Sequence, residues 1–218
     1  MVAYSQGVIE VRVPLKRWPR WRENFAARHG QTEWRVGDGA LHGIAADGAE
    51  VIARLPFSRA YDGPADPDGF TALALPPQTW GVLLVRKGGF AIGALEQDRI
   101  TASKVGQRHV QGRTKAGGQS QQRFARRRDN QARDAYQAAA DHACRVWGWT
   151  GSTPVSRAVV VGGDRQAVAE VLGDPRLASV QTVGWWLAVG DPRRDVLVAA
   201  VAEAQTLGLQ ISEQENTG

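Results

Sequence analysis

The sequence predicts an α/β protein, a mixed sheet with helices packed on it, preceded by a small α+β unit. Three observations carry that expectation. Two apolar runs, 80–86 and 90–95, flank Lys87-Gly88-Gly89, the pattern of a β-hairpin. A long amphipathic stretch follows, ending near Val146. Residues 155–161 then form a β-branched run of the kind that fills a strand buried on both faces. Helix and strand signals alternate from there to the end, as a sheet with packed helices requires.

Taken in order, residues 8–13 alternate in part and read as a strand. Residues 19–29 read as a helix, with Pro19 in its first turn and Gly30 just past its end. Trp18, Trp21 and Phe25 are spaced three and four apart and share a face. Gly37-Asp38-Gly39 and Ala46-Asp47-Gly48 are hairpin turns between three short strands. These elements make an α+β unit over residues 1–55. Residues 56–69, rich in Pro, Gly and Asp, read as a linker. The main domain is then expected over 70–212.

Within it, residues 99–104 and 108–112 are candidate strands leading into a glycine loop. Ser120 is placed to cap the long helix. Phe124, Ala132, Ala135, Tyr136, Ala139 and Ala143 make one apolar stripe on that helix, with Arg128 near it and Arg123, Arg126, Arg127 and Arg133 opposite. A helix is expected from Asp164 to about residue 172, a strand over 180–189, and a last helix from Asp191-Pro192 to about residue 207.

The charge is unevenly spread. The formal net charge is +5, yet nine Lys/Arg and a single acid, Asp129, fall between Lys104 and Arg133. That segment carries +8 and the remainder −3, so the basicity is a local patch, the footprint of a polyanion-binding surface. Hydrophobic residues make up 43%, enough for a core, and no apolar run reaches the ~20 residues of a membrane span. The amino terminus lacks a basic segment followed by an apolar one, so no secretion signal is expected. A lone cysteine, Cys144, excludes a disulfide framework and points to a reducing, cytoplasmic setting.

Familiar catalytic constellations do not form from these residues. His29, His42, His109 and His142 are scattered without metal-ligand spacing, so no metal and no other cofactor is expected. Cys144 sits on the apolar side of its helix, the setting of an inert buried thiol. There is no Gly-x-Ser-x-Gly elbow, no GxGxxG and no phosphate-loop Lys-Ser/Thr. What stands out is Gly117-Gly118-Gln119 followed directly by a basic helix. The glycine pair opens backbone conformations closed to other residues. Gln119 is a neutral amide that both donates and accepts hydrogen bonds.

The stretch from Gly117 to Arg128, Gly-Gly-Gln-Ser-x-x-Arg-Phe-Ala-Arg-x-Arg, resembles the signature of the catalytic middle domain of eukaryotic and archaeal class-one translation release factors. Every fixed position of the pattern is filled. The likeness extends over roughly 70–210: residues 80–95 look like that domain's opening hairpin, and 157–164 like its strand ending in glycine and a helix. Bacterial stop-codon release factors carry Gly-Gly-Gln on another fold, without the Arg-Phe-Ala-Arg helix. The Asn-Ile-Lys-Ser codon-reading motif is missing, and the chain is short for a codon-reading and a partner-binding domain besides. A catalytic domain without a codon reader is similar to the Vms-type peptidyl-tRNA hydrolases of ribosome quality control, and above all to their actinobacterial branch.

That resemblance implies a stop-codon-independent peptidyl-tRNA hydrolase, freeing nascent chains from stalled large ribosomal subunits. Gly117 and Gly118 would let the loop thread into the peptidyl-transferase centre, and Gln119 would position water at the peptidyl-tRNA ester. Arg113, Lys115, Arg123, Arg126 and Arg127 would neutralise phosphates of rRNA. The expected partners are the large subunit and peptidyl-tRNA, with no membrane and the chain itself a ribosome-associated monomer. The alternative is a non-catalytic ribosome- or tRNA-binding factor that keeps the motif for docking. A metal-dependent nuclease would need converging carboxylates, and the basic segment offers only Asp129.

Overall fold

The computed structural model describes residues 8–107, 119–148 and 158–213. The chain divides into two compact units, residues 1–76 with 202–218, and residues 77–201. The boundary therefore differs from the sequence-based one at both ends.

The first unit is built on a five-stranded antiparallel sheet. Its chain-order elements are β1 (Val8–Val13), α1 (Trp18–His29), β2 (Thr32–Gly37), β3 (Ala40–Ala45), β4 (Glu50–Arg54), α2 (Pro67–Ala72) and, from the far end of the chain, β10 (Leu207–Ser212). The strand order is β1-β10-β4-β3-β2. Both expected hairpin turns are present, between β2 and β3 and between β3 and β4. Trp18 and Phe25 of α1 join Leu41, Val51, Leu55 and Leu209 in one core.

Residues 56–69 are not a linker. Tyr61 is buried and meets the buried Phe70 edge-on at 4.9 Å. The Trp18 indole N–H donates to the Pro67 carbonyl at 2.9 Å. Asp66 caps α2, accepting from the backbone N–H groups of Asp68 and Gly69. Turn-forming composition here folds into the core because two aromatic side chains have somewhere to go. Residues 207–212 are likewise not the tail of the main domain: β10 lies between β1 and β4, with Leu207 and Leu209 fully buried.

The second unit is a five-stranded mixed sheet. Its elements are β5 (Thr79–Arg86), β6 (Gly89–Glu96), β7 (Arg99–Gln107), α3 (Gln119–Val146), β8 (Ala158–Gly163), α4 (Arg165–Leu172), β9 (Gln181–Thr182) and α5 (Arg194–Ala204), whose last turn crosses the unit boundary. The order is β7-β6-β5-β8-β9. β5, β6 and β7 form an antiparallel meander, while β8 and β9 run parallel to β5. The expected mixed sheet with packed helices is what forms.

Strand alternation sorts the core. Leu83, Val85, Phe90, Ile92, Val159 and Val161 face α3 and α4, meeting Ala139, Ala143, Val168 and Val171. Val82, Leu84, Ala91 and Val160 are buried on the other face, where Leu197 of α5 approaches Gly93. β5 is thus apolar throughout because it is covered on both sides. The run 180–189 is strand only at Gln181–Thr182, with a single further bridge from Leu187 to Gly162. Gly184 has φ +75°, which breaks the extended path and turns Trp186 toward Gly163 and Arg165.

Candidate active site

Gln119 is the first residue of α3, a helix of 28 residues. The helix begins one residue ahead of the expected cap, so Ser120 lies inside the first turn. Gly117, Gly118, Arg113 and Lys115 lie outside the described residues. Arg123, Arg126 and Arg127 all fall on α3.

Helical geometry places these positions. At about 100° per residue, positions 119, 123, 126 and 127 share one arc of about 100°. Ala139 and Ala143, both fully buried, stand on the opposite arc. Followed into the half of α3 where burial is described, the arc of 119 and 123 is exposed at Asp134, Gln137 and Arg145. The first N–H groups of a helix have no intrahelical acceptor, and the helix dipole favours negative charge at that end.

The carboxyl half of α3 is fixed in three ways. Ala139, Ala140 and Ala143 pack on the sheet, small enough to bring the helix close. Just past the helix, Trp147 is buried and its indole N–H donates to the Gly93 carbonyl at 2.9 Å. A polar clasp joins α3 to the short 3-10 turn Pro175–Leu177. In it the Arg176 guanidinium donates to both oxygens of Asp174, at 2.9 and 2.7 Å, and to Asp141 at 2.6 Å, while the Gln137 amide donates to Asp174 at 3.2 Å. The Arg176 side chain, more than any other group, holds the Asp174 carboxyl well below the usual carboxylate range, and it also lowers Asp141. Along the sequence, Asp174-Pro175 reads only as a stop for the preceding helix. Its pairing with Arg176 and Asp141 spans elements and leaves no local signal.

Cys144 is half-buried on this helix, and burial pushes its thiol pKa up, the opposite of what an activated nucleophile needs. Among the described residues, no three His, Cys, Asp or Glu side chains gather as a metal site. Nor, among them, is any helix long and apolar enough to cross a membrane.

With a hairpin, a long helix headed by Gln119 and a parallel strand returning beside β5, comparison with known proteins becomes informative. Residues 78–210 match the family model described as acVLRF1, the Actinobacteria/chloroflexi VLRF1 release factor. The chain belongs to this family. The matched stretch is more than half of the chain and runs from the start of β5 through α5 into β10, taking in all of α3. No curated protein matches the chain. A solved structure described as "Archaeal protein" is similar at 14% identity over 93% of this chain and 68% of its own, with a TM-score of 0.37, too low to bear on the argument. Membership of a release-factor family implies work at the ribosome on tRNA.

Proposed function

We propose that this chain hydrolyses the ester joining a nascent peptide to the 3′-terminal adenosine of tRNA on large ribosomal subunits, without reading a stop codon. The observation that carries the reading is the position of Gln119. It heads a long helix whose other half is fixed to the sheet, on the arc shared with Arg123, Arg126 and Arg127 and opposite the buried alanines. At about 1.5 Å per residue, the helix sets Gln119 about 30 Å along its axis from Ala139.

The chemistry then needs no ionisable catalytic side chain. The Gln119 backbone N–H, in the first turn of α3, is available to an oxyanion forming at the ester carbonyl. Its side-chain amide orients the attacking water, an entropic contribution. Proton transfer falls to the ribose hydroxyl of the substrate and to groups of the ribosome. Gly117 and Gly118 supply the backbone freedom that lets the loop enter a narrow centre. Arg113, Lys115, Arg123, Arg126 and Arg127 neutralise RNA phosphates and fix the approach.

The competing reading is a docking factor that binds the same place without chemistry. Large subunits loaded with peptidyl-tRNA carrying a labelled peptide separate the two. Release by the purified chain supports hydrolysis, and tight binding with no release supports docking.

A further inference from the structure

The second unit holds a cavity of about 380 Å³ that the release reading leaves without a role. It lies between α3 and the carboxyl end of β5, lined by Arg86, Phe90, Lys104, Tyr136, Ala138 and His142 among others. Among the described residues, no carboxylate lines it and two exposed cations, Arg86 and Lys104, do. The register explains the meeting. Lys104 on β7 pairs with Ile92 and so faces the α3 side, and Phe90 pairs with Val85 on that same side. Here β5 has an antiparallel neighbour on one flank and a parallel one on the other.

The polar groups are held in place. Arg86 donates through Nη1 to the Val189 carbonyl at 2.8 Å, which steadies the guanidinium and leaves other N–H groups for a ligand. Arg145 donates to His142 Nδ1 at 3.1 Å. Arginine only donates, so Nδ1 is the acceptor and the imidazole is the neutral tautomer protonated at Nε2. Burial, then the Arg145 and Lys104 charges, push the His142 pKa down, in keeping with that neutral form. The imidazole lies against Phe90, ring centres 5.4 Å apart. The cavity thus offers cations for a phosphate, and flat rings with neutral donors and acceptors for a base. Its volume, near the low end of the ~300–1,000 Å³ typical of small-ligand sites, suits one nucleotide.

The geometry points to a pocket for a single unpaired RNA nucleotide, its phosphate between Arg86 and Lys104 and its base against Tyr136, His142 and Phe90. An RNA strand is favoured over a free nucleotide by continuity along α3. Position 128, an arginine, stands seven residues before position 135 and fourteen before position 142, so the arc of α3 that lines the cavity continues along the helix toward position 119. Splayed bases on aromatic rings beside a cationic track are the usual way single-stranded RNA is held. The inference rests on the reading that the chain works on ribosomal or transfer RNA, and not on the chemistry of Gln119.

Binding, not release, tests it. The probes are empty large ribosomal subunits and, separately, deacylated tRNA, titrated with the intact chain between about 50 and 200 mM salt. Lys104→Gln and Arg86→Gln should each weaken binding several-fold and lower the salt slope by about 0.7–0.9, one phosphate's share. Lys104→Arg should restore both, and Lys16→Gln, an exposed cation of the first unit, should change neither. A photo-reactive side chain in place of Ala138 should cross-link to RNA, and the arm in which it does so tells rRNA from tRNA. Unchanged binding in both pocket variants, cross-links to protein alone, no binding of either probe by the wild type, or saturable occupancy by adenosine monophosphate without any effect on RNA binding would each overturn the pocket. A chain that binds as described yet releases no peptide overturns the hydrolase reading instead.

Discussion

The indole nitrogen of Trp147 is hydrogen-bonded to the Gly93 carbonyl, and the same ring fills the space beside Gly81. A Cβ added to Gly81 would sit 2.7 Å from that nitrogen. The end of α3 is therefore keyed into β5 and β6 by one large side chain meeting one missing side chain. Anything that loosens the key loosens the helix that carries Gln119.

Trp147→Ala should accordingly destabilise the second unit by about 3–5 kcal/mol, the usual cost of removing a buried large aromatic. Gly81→Val should also destabilise it, because neither the ring nor Val159 can retreat without opening the sheet face. Denaturant unfolding followed by tryptophan fluorescence measures both. A Gly81→Val protein as stable as wild type would show that the ring is not held where the structure has it.

The clasp of Arg176 with Asp174 and Asp141 makes stability depend on pH in a defined direction. Both carboxyls are lowered in the folded state, chiefly by hydrogen bonds from Arg176. A depressed pKa gives stability that is fully present above the unfolded value, near 4, and lost as pH falls below it toward the folded value. The melting temperature should be flat from about pH 8 to 5 on this account and drop below about 4, and Asp174→Asn should remove part of that drop. Arg176 and Asp141 are half exposed, so salt should weaken the effect. Identical acid limbs for wild type and Asp174→Asn would contradict the assignment.

On the proposed function, the arginines of the first α3 turns serve approach, not chemistry. Replacing Arg123, Arg126 and Arg127 together by Gln should weaken binding to large subunits and reduce its salt slope by about 2–3. The rate at saturating subunits should fall far less than affinity does. An unchanged slope would mean that these positions touch no phosphate.

Much of this was legible along the chain because it is local. The turns at Asp38 and Asp47, the β5–β6 hairpin, the run at 158–161 and the stripe of Ala139 and Ala143 are each set by near neighbours. What the sequence hid depends on distant partners. β10 is a six-residue stretch that begins three positions after the last residue of α5, and only its pairing with Val11 and Ala53, about 150–200 positions away, makes it a strand. Tyr61 sits in linker-like composition and Phe70 just past it, where the sequence alone would begin the main domain, and only the Trp18 core reveals their purpose. The run 180–189 has strand composition, yet Trp186 is spent on Gly163 and Arg165. The cavity draws Arg86, Lys104 and His142 from three elements that register alone brings together. Arg128, unexplained by the stripe it adjoins, falls on the cavity's arc of α3.

The most direct test of the central claim is single-turnover peptide release from peptidyl-tRNA–large-subunit complexes by wild type and Gln119→Ala side by side, with subunit binding measured in parallel. The account predicts release slowed about 10²-fold or more in the variant, the scale of losing the group that orients the attacking water, with binding intact. Release at the wild-type rate by Gln119→Ala would contradict it.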